Sequence, residues 1–394
     1  MTTDRISVAV FVGTRADLGP LGSVLEALRE CADIDLTVLT GVAFGADELA
    51  TRLPDRPTGG PPWRVVGLAA PVAGAVEATA VLEHGARLGA GAARWMLDSR
   101  PDVLVVLGDR WELLHVVPPA VLAGVRVVHL HGGEVTEGAV DDRVRHAVTK
   151  LADQHCVASE DAARRVLGLG EPAARVHVTG APGLDRLVGL SRPGEETLAA
   201  AIGRPVVRPV ALFTYHPPTA VESAPLRDWA AGALAATIDR CGTVVVTHPG
   251  LDPGREEILA AIAEVVDDDR VVVRESLGRD YPLVLSGVDV VVGNSSSGII
   301  EAASVGVPAV DVGDRQRGRL RGPGVVHADE GRVAVGAALD AVLGLGPGQA
   351  ARPPLPAANP YGDGHAAAAV VDVVRSAPAA PRAKGFVDRT EATR

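Results

Sequence analysis

Apolar residues along this chain come in short, continuous runs: Ile6–Val12, Leu36–Leu39, Val103–Leu107 and Val125–Leu130, with helix-period patterns between several of them. A second series follows at Val210–Thr214, Val244–Thr247, Val271–Val273, Val288–Val292 and Ala309–Val312. Half-buried strands alternate apolar and polar positions. Runs that are apolar throughout predict parallel strands covered by helices on both faces. Two such series predict two Rossmann-like, doubly wound α/β domains, facing each other across a cleft with ligand at the carboxyl ends of the strands. The expected boundaries are residues 1–187 for the first domain, 188–209 for a hinge rich in Pro and Gly, and 210–362 for the second domain. Residues 363–375 should form a last helix, and the Ala/Pro/Arg stretch 376–394 should be a disordered tail.

A chain of 394 residues suits two cores better than one. Aromatic residues make up only 3%, so Val, Leu and Ala must fill those cores. No apolar run reaches the roughly 20 residues of a membrane span. The N-terminus lacks a signal-peptide pattern, and a cytoplasmic location without membrane partners is expected. The formal charge of −11 argues against nucleic acid as a partner while leaving room for a few arginines on a small diphosphate. Cys31, Cys156 and Cys241 are far apart without CxxC spacing, so they read as buried thiols.

The richest polar stretch is HLHGGEVTEGAVDDRVRHAVTKLADQH, His129–His155. A strand delivers His129 and His131, two glycines free the backbone, Glu134 follows, and Asp141–Asp142 open a helix. Alternation would put His129 and His131 on one strand face. With no further ligands at suitable spacing, a core or substrate-binding role outranks metal, and no metal site is assigned. Asp109 ends the Val103–Leu107 strand and is the first candidate for a catalytic carboxylate, with Arg110 beside it to hold it ionised or to contact phosphate. Glu134 and Asp141 are the next candidates, with Asp142 in the first helical turn, although Asp141 equally suits a helix cap. Arg15 lies in the first strand-to-helix loop, ahead of Pro20, which suits the first turn of a helix.

In the second half a small-residue loop, Gly293–Ser297, leads from a strand into a short helix, Gly298–Val305, so its amides and the hydroxyls of Ser295 and Ser296 suit an anion. Glu301, on that helix, suits ribose hydroxyls. Capping serines and a dipole-stabilised glutamate would give the same letters. His216 follows the Val210–Thr214 strand, and Arg315 follows Ala309–Val312. No Walker lysine or GxGxxG run is present, so neither ATP nor NAD is implied, and no cofactor is expected.

Together GTRAD (Gly13–Asp17), GDRWELL (Gly108–Leu114), the His129–His155 stretch, TGAPGLD (Thr179–Asp185), GNSSSGIIEA (Gly293–Ala302) and NPYGDG (Asn359–Gly364) resemble the hydrolysing UDP-N-acetylglucosamine 2-epimerases. The resemblance implies a glycosyltransferase-B-like architecture, in which the last helix, 363–375, packs back on the first domain, and a UDP-sugar substrate. It also implies elimination to a 2-acetamidoglucal followed by hydration, giving N-acetylmannosamine and UDP. Asp109, Glu134, Asp141 and His216 would then be catalytic. Arg15, Arg110, His131, Asp142, Ser295, Ser296, Glu301 and Arg315 would bind substrate. His131 stands where some relatives carry a catalytic glutamate, while Ala43 and Gly250 replace a family histidine and asparagine. The rival readings are a hydrolysing 2-epimerase on a UDP- or GDP-linked 2,4-diacetamido-6-deoxy sugar, a non-hydrolysing epimerase, a glycosyltransferase, and a catalytically silent nucleotide-sugar sensor. A homo-oligomer, dimer or tetramer, is expected.

Overall fold

The computed structural model describes residues 5–54, 62–72, 78–137, 139–218, 224–250, 252–322, 324–345, 359–379 and 383–388. Contacts divide the chain into two compact units. The first comprises residues 1–134, 141–185 and 364–394; the second comprises 135–140 and 186–363.

Seven parallel strands build the first sheet: β1 (Ile6–Phe11), β2 (Ile34–Thr40), β3 (Val65–Gly67), β4 (Val103–Leu107), β5 (Arg126–Leu130), β6 (Gln154–Val157) and β7 (Val176–Val178). Their spatial order is β3-β2-β1-β4-β5-β6-β7, so the winding reverses between β1 and β4. Both faces are covered. Val8, Val10, Val103 and Val105 pack with Leu21, Val24, Leu25 and Leu28 of the helix Arg15–Glu30, and with Val370 and Val374 of the helix Ala366–Ser376. Ala9, Phe11, Leu104 and Val106 turn to the other face, against Leu88, Ala92 and Met96 and against Val116, Val117 and Ala120. Continuous burial on two faces is why β1 and β4 carry almost no polar side chains.

The second sheet repeats the winding. Strands β8 (Val210–Thr214), β9 (Thr243–Thr247), β10 (Val271–Arg274), β11 (Val290–Gly293), β12 (Ala309–Val312) and β13 (Val325–Ala328) lie in the order β10-β9-β8-β11-β12-β13, all parallel. Here the reversal falls between β8 and β11. The two-domain parallel α/β class read from the apolar runs is therefore what forms.

Several details differ from the reading. Strands β3, β6, β7 and β13 were not anticipated, being three or four residues long, and β6 interrupts its apolar pattern with the buried Gln154 and His155. The stretch 188–209, expected as a hinge, carries the helix Glu195–Ile202 and belongs to the second unit. Pro20 lies inside its helix rather than in the first turn. The anticipated helix Gly298–Val305 is instead an α-helical turn, Ser296–Ile300, followed by a 3-10 turn, Ala302–Val305.

The helix Ala366–Ser376 is capped from a distance: the Asp185 carboxylate accepts from the backbone N–H groups of Ala366 at 2.9 Å and Ala367 at 2.7 Å. Part of the tail expected to be disordered is also docked, since the Lys384 ammonium donates to the carbonyls of Lys150 (2.7 Å) and Ala152 (2.6 Å) and lies 3.0 Å from the Glu171 carboxylate. Residues 380–382 and 389–394 lie outside the described residues.

Candidate active site

In doubly wound sheets a crevice opens at the carboxyl ends of the strands where the winding reverses. The loops after β1 and β4 flank that point in the first unit. After β1, Asp17 folds back so that one carboxylate oxygen accepts from the backbone N–H of Gly13 (2.9 Å) and Thr14 (2.8 Å). Burial, reinforced by the charge of Glu112, raises the Asp17 carboxyl to about 6 against the opposing pull of Arg110 and these two N–H groups. Glu112 is buried beneath the loop, and a Cβ on Gly13 would come within 2.6 Å of its carboxylate, so a larger residue there would displace Glu112. Arg15 stands exposed at the first position of the helix.

After β4, Gly108 turns through a left-handed φ of 76° and presents Asp109. Arg110 does not take up that carboxylate; its Nε donates to Glu112 at 3.0 Å. The partner of Asp109 is Arg145, which is 1% exposed and had no place in the sequence reading. Arg145 lies on the helix Asp141–Leu151, and its other nitrogen donates to the Glu134 carbonyl at 2.9 Å and the Asp142 carboxylate at 3.2 Å. The i, i+3 spacing brings Asp142 onto Arg145, and i, i+4 brings it to 3.4 Å from His146. Asp141 opens the helix, where its charge complements the dipole.

Strand β5 enters between these groups. His129 is fully buried: its Nε2 lies 2.7 Å from the Gly108 carbonyl and its Nδ1 3.2 Å from the Thr149 hydroxyl. Burial pushes its imidazole down to about 3, so it stays neutral and fixes the turn carrying Asp109. The strand then stops at Leu130. His131 adopts φ 62°, so the simple alternation that would have put both histidines on one strand face does not operate. Its Nδ1 instead meets the Glu134 carboxylate at 2.5 Å. Gly133 between them has φ 78°, and a Cβ there would lie 2.3 Å from the Ala162 carbonyl, so the close turn depends on glycine. Among the described residues no group of three or more His, Cys, Asp or Glu is placed to hold a metal ion.

At the reversal in the second unit, β8 leads to His216 and β11 to Asn294. Asn294 is fully buried and pairs with the backbone of His216 in both directions, accepting from its N–H at 2.6 Å and donating to its carbonyl at 2.8 Å. The Asn294 carbonyl receives Arg315 at 3.1 Å and Gln316 at 2.9 Å. One asparagine therefore fixes both His216 and Arg315, and the sequence reading passed over it. The Nδ1 of His216 accepts from the Gly250 N–H at 3.0 Å, which puts the imidazole proton on Nε2. Gly293 has φ 127°, and a Cβ there would lie 2.0 Å from the Thr214 carbonyl.

Ser295 caps the short helix by accepting from the Ser297 N–H at 3.4 Å, and Ser296 begins it. The hydroxyl of Tyr281 meets both the Ser297 hydroxyl and the Glu301 carboxylate, so Glu301 is held by a side chain 20 residues earlier. Burial raises the Tyr281 phenol well above its ordinary value, and it stays protonated. The surrounding arginines have other work: Arg321 pairs with Asp311 at 2.5 Å, and Arg317 with Glu137 at 2.8 Å.

Two parallel α/β units, one presenting arginine-held carboxylates and the other a capped serine loop with a nearby arginine and glutamate, define a nucleotide-sugar enzyme of two Rossmann-like domains. A family model described as UDP-N-acetylglucosamine 2-epimerase matches residues 79–375. A UDP-N,N'-diacetylbacillosamine 2-epimerase (hydrolyzing) of Legionella pneumophila is 32% identical across 93% of this chain and 94% of that protein. A UDP-N-acetylglucosamine 2-epimerase of Neisseria meningitidis serogroup B is 34% identical over 58% of this chain and 60% of its own. The chain belongs to the UDP-N-acetylglucosamine 2-epimerase family, and it is a UDP-sugar 2-epimerase. Its fold is shared by the Methanocaldococcus jannaschii UDP-GlcNAc 2-epimerase solved with UDP-GlcNAc and UDP, with a TM-score of 0.73 at 15% identity, covering 94% of this chain and 99% of the other. The Neisseria meningitidis UDP-GlcNAc 2-epimerase bound to UDP-GlcNAc aligns with a TM-score of 0.71 at 15% identity, over 94% and 100% of the two chains. No helix among the described residues is long and apolar enough to cross a membrane.

Proposed function

We propose that the protein is a hydrolysing 2-epimerase that converts UDP-N-acetylglucosamine and water into N-acetylmannosamine and UDP. The observation that carries this is the division of chemistry between the two reversal points. Carboxylates fixed by a buried arginine occupy one, and anion donors occupy the other. In this reading Ser295, Ser296 and Arg315 hold the diphosphate and Glu301 the ribose, with Arg15 and Arg110 adding charge. Asp109, Glu134, Asp141 and His216 serve the proton transfers and departure of UDP, while His131 and Asp142 contact the sugar. A base removes hydrogen from C2, its electrons form the C1–C2 double bond, and the C1–O bond breaks with its electron pair leaving on UDP. Water then adds at C1 and a proton at the opposite face of C2.

A second reading has its own support: the relative that is 32% identical across 93% of the chain is named for UDP-N,N'-diacetylbacillosamine. Ala43 and Gly250, small where relatives carry histidine and asparagine, suit a bulkier sugar of the 2,4-diacetamido-6-deoxy class. Incubation with each UDP-sugar, followed by product analysis, separates the two. In deuterium oxide the released 2-acetamido sugar should carry deuterium at C2, and in oxygen-18 water the UDP should stay unlabelled. Release of N-acetylglucosamine with its original C2 hydrogen would refute epimerisation. We also propose a homo-oligomer, which light scattering tests directly.

A further inference from the structure

We propose that His131, oriented by Glu134, is the base that removes the C2 hydrogen, and that Glu134 is a positioning residue rather than the proton acceptor. This rests on the 2-epimerase reading and changes its assignment of labour. Leu107 of β4 pairs with Leu130 of β5, so Asp109 and His131 leave the sheet from neighbouring strand ends, beside the reversal between β1 and β4. His131 is one of two described non-glycine residues with a left-handed φ, the other being Arg100. A bulky residue in that conformation is strained and marks a position the surrounding structure enforces. What it achieves here is a return of the chain within three residues, closing the 2.5 Å contact between Nδ1 and the Glu134 carboxylate.

The two partners differ in access. The Glu134 side chain is 4% exposed and its carbonyl is tied by Arg145, while the His131 side chain is 13% exposed and its Nε2 takes no hydrogen bond from a described residue. An ionised carboxylate only accepts, so the proton of the short bond sits on Nδ1 and Nε2 carries the lone pair. This is the orienter–base arrangement in which a buried carboxylate sets the tautomer of an imidazole that does the proton transfer. The surrounding charged and titratable groups are Arg145 on the Glu134 carbonyl, Arg165 at 3.2 Å from the Gly133 carbonyl, and the buried His129 two residues earlier. In the step itself Nε2 takes the C2 hydrogen as a proton, the C2–H electrons form the C1–C2 double bond, and UDP leaves with the C1–O pair. The imidazolium that results stays paired with Glu134.

The test combines kinetics with a measurement that needs no substrate. With UDP-N-acetylglucosamine and a UDP-2,4-diacetamido sugar as probes, His131→Ala and His131→Gly should each lower kcat at least ~100-fold. KM should stay within about threefold. The glycine variant adopts φ 62° without strain, so it keeps the fold if alanine does not. Long-range proton–nitrogen NMR of the whole labelled protein, with the His131 signals assigned by their loss in the glycine variant, should show Nδ1 protonated. Glu134→Gln should abolish that preference and lower kcat with KM unchanged. The proposal is overturned by an Nε2-protonated His131 in the wild type, or by His131 variants that keep kcat within threefold while Glu134→Gln loses it. If the wild type acts on neither sugar nucleotide, the functional reading fails alone, and the tautomer still decides the pair.

Discussion

Arg145 reaches the Asp109 carboxylate from inside the helix that Asp141 and Asp142 open, so the carboxylate at the end of β4 is held by a guanidinium 36 residues later. The arginine is buried and Asp109 partly exposed, which makes the pair a fixed anchor rather than a mobile surface bridge. Arg145→Lys keeps the charge but loses the fork that serves Asp109, Asp142 and the Glu134 carbonyl together. Stability should fall by about 2–4 kcal/mol, toward the lower end for a broken buried pair because Asp109 is open to water. In a still-folded protein kcat should drop at least ~10-fold while UDP affinity, measured by calorimetry, stays within about threefold. Unchanged turnover would mean that Asp109 does not need its arginine, and the anchor would be structural only.

The nucleotide side has its own anchor in Asn294. Asn294→Asp retains the acceptor for the His216 N–H but replaces the donor to the His216 carbonyl with a second oxygen. The result is a buried repulsion in place of a hydrogen bond, at a cost of about 1–3 kcal/mol. UDP should bind more weakly as well, because a displaced residue 294 also shifts the backbone carbonyl that receives Arg315. Ser296→Ala and Glu301→Ala should each weaken UDP binding by about 1–3 kcal/mol. Tyr281→Phe should give a smaller effect in the same direction, since it only orients Glu301. A Tyr281 variant as damaging as Glu301→Ala would indicate that the phenol itself meets the ligand.

The difference between these anchors and the residues they hold shows what a sequence conveys. Apolar runs and the loops after them are local signals, so β1, β4, β8 and β11 and the candidates Asp109, His216 and Ser295 could be read directly. Arg145 could not, because DDRVRH reads as an exposed charged helix start until the helix is docked. Its spacing of three from Asp142 was the available signal. Asn294 was hidden by the serines beside it. Tyr281 reaches Glu301, and Glu112 comes to lie beneath Gly13, through tertiary packing alone. Strand alternation does not place His131, because β5 ends one residue before it and φ changes sign there.

Acid sensitivity should be set by His129 more than by Asp17. With the folded imidazole down at about 3 and the unfolded one near 6.5, the unfolded chain takes up a proton the native state refuses, so stability is lost as pH falls through that window. Asp17, raised to about 6 from 3.8, acts oppositely: its native state keeps a proton that the unfolded chain has released, which favours folding as pH falls from 6 to 3.8. At ~1.4 kcal/mol per pH unit the first effect is on the order of 5 kcal/mol and the second 3 kcal/mol, so the histidine wins. Urea midpoints measured from pH 7 to 3, the full window of the histidine, should decline in the wild type. They should decline less in His129→Gln, which retains a donor for the Gly108 carbonyl, and more steeply in Asp17→Asn. Parallel curves for all three proteins would show that other groups govern acid unfolding.

The C-terminal segment should contribute stability without contributing to turnover. Glu171 is buried, which raises its carboxyl, but hydrogen bonds from His155, Lys150 and Lys384 outweigh burial and hold it at about 2. Lys384 divides its ammonium among Glu171 and the carbonyls of Lys150 and Ala152, and Phe386 lies under the Lys150 ammonium at 5.0 Å. The Val387 N–H donates to the Gly170 carbonyl at 2.9 Å, closing the segment onto the first unit. Lys384→Met would leave a buried carboxylate with one donor fewer and two carbonyls unpaired, at a cost of about 1–3 kcal/mol. The expected change is a lower urea midpoint at pH 7, where Glu171 is ionised in folded and unfolded chains alike, with the deficit shrinking as pH falls toward 2 and Glu171 takes up its proton. Because Lys150 lies about 13 Å along its helix from Asp141, kcat at temperatures well below unfolding should match the wild type. A chain ending at Ala379 should lose at least as much stability as Lys384→Met. A truncated protein as stable as the full chain would show that the segment rests on the surface without holding it.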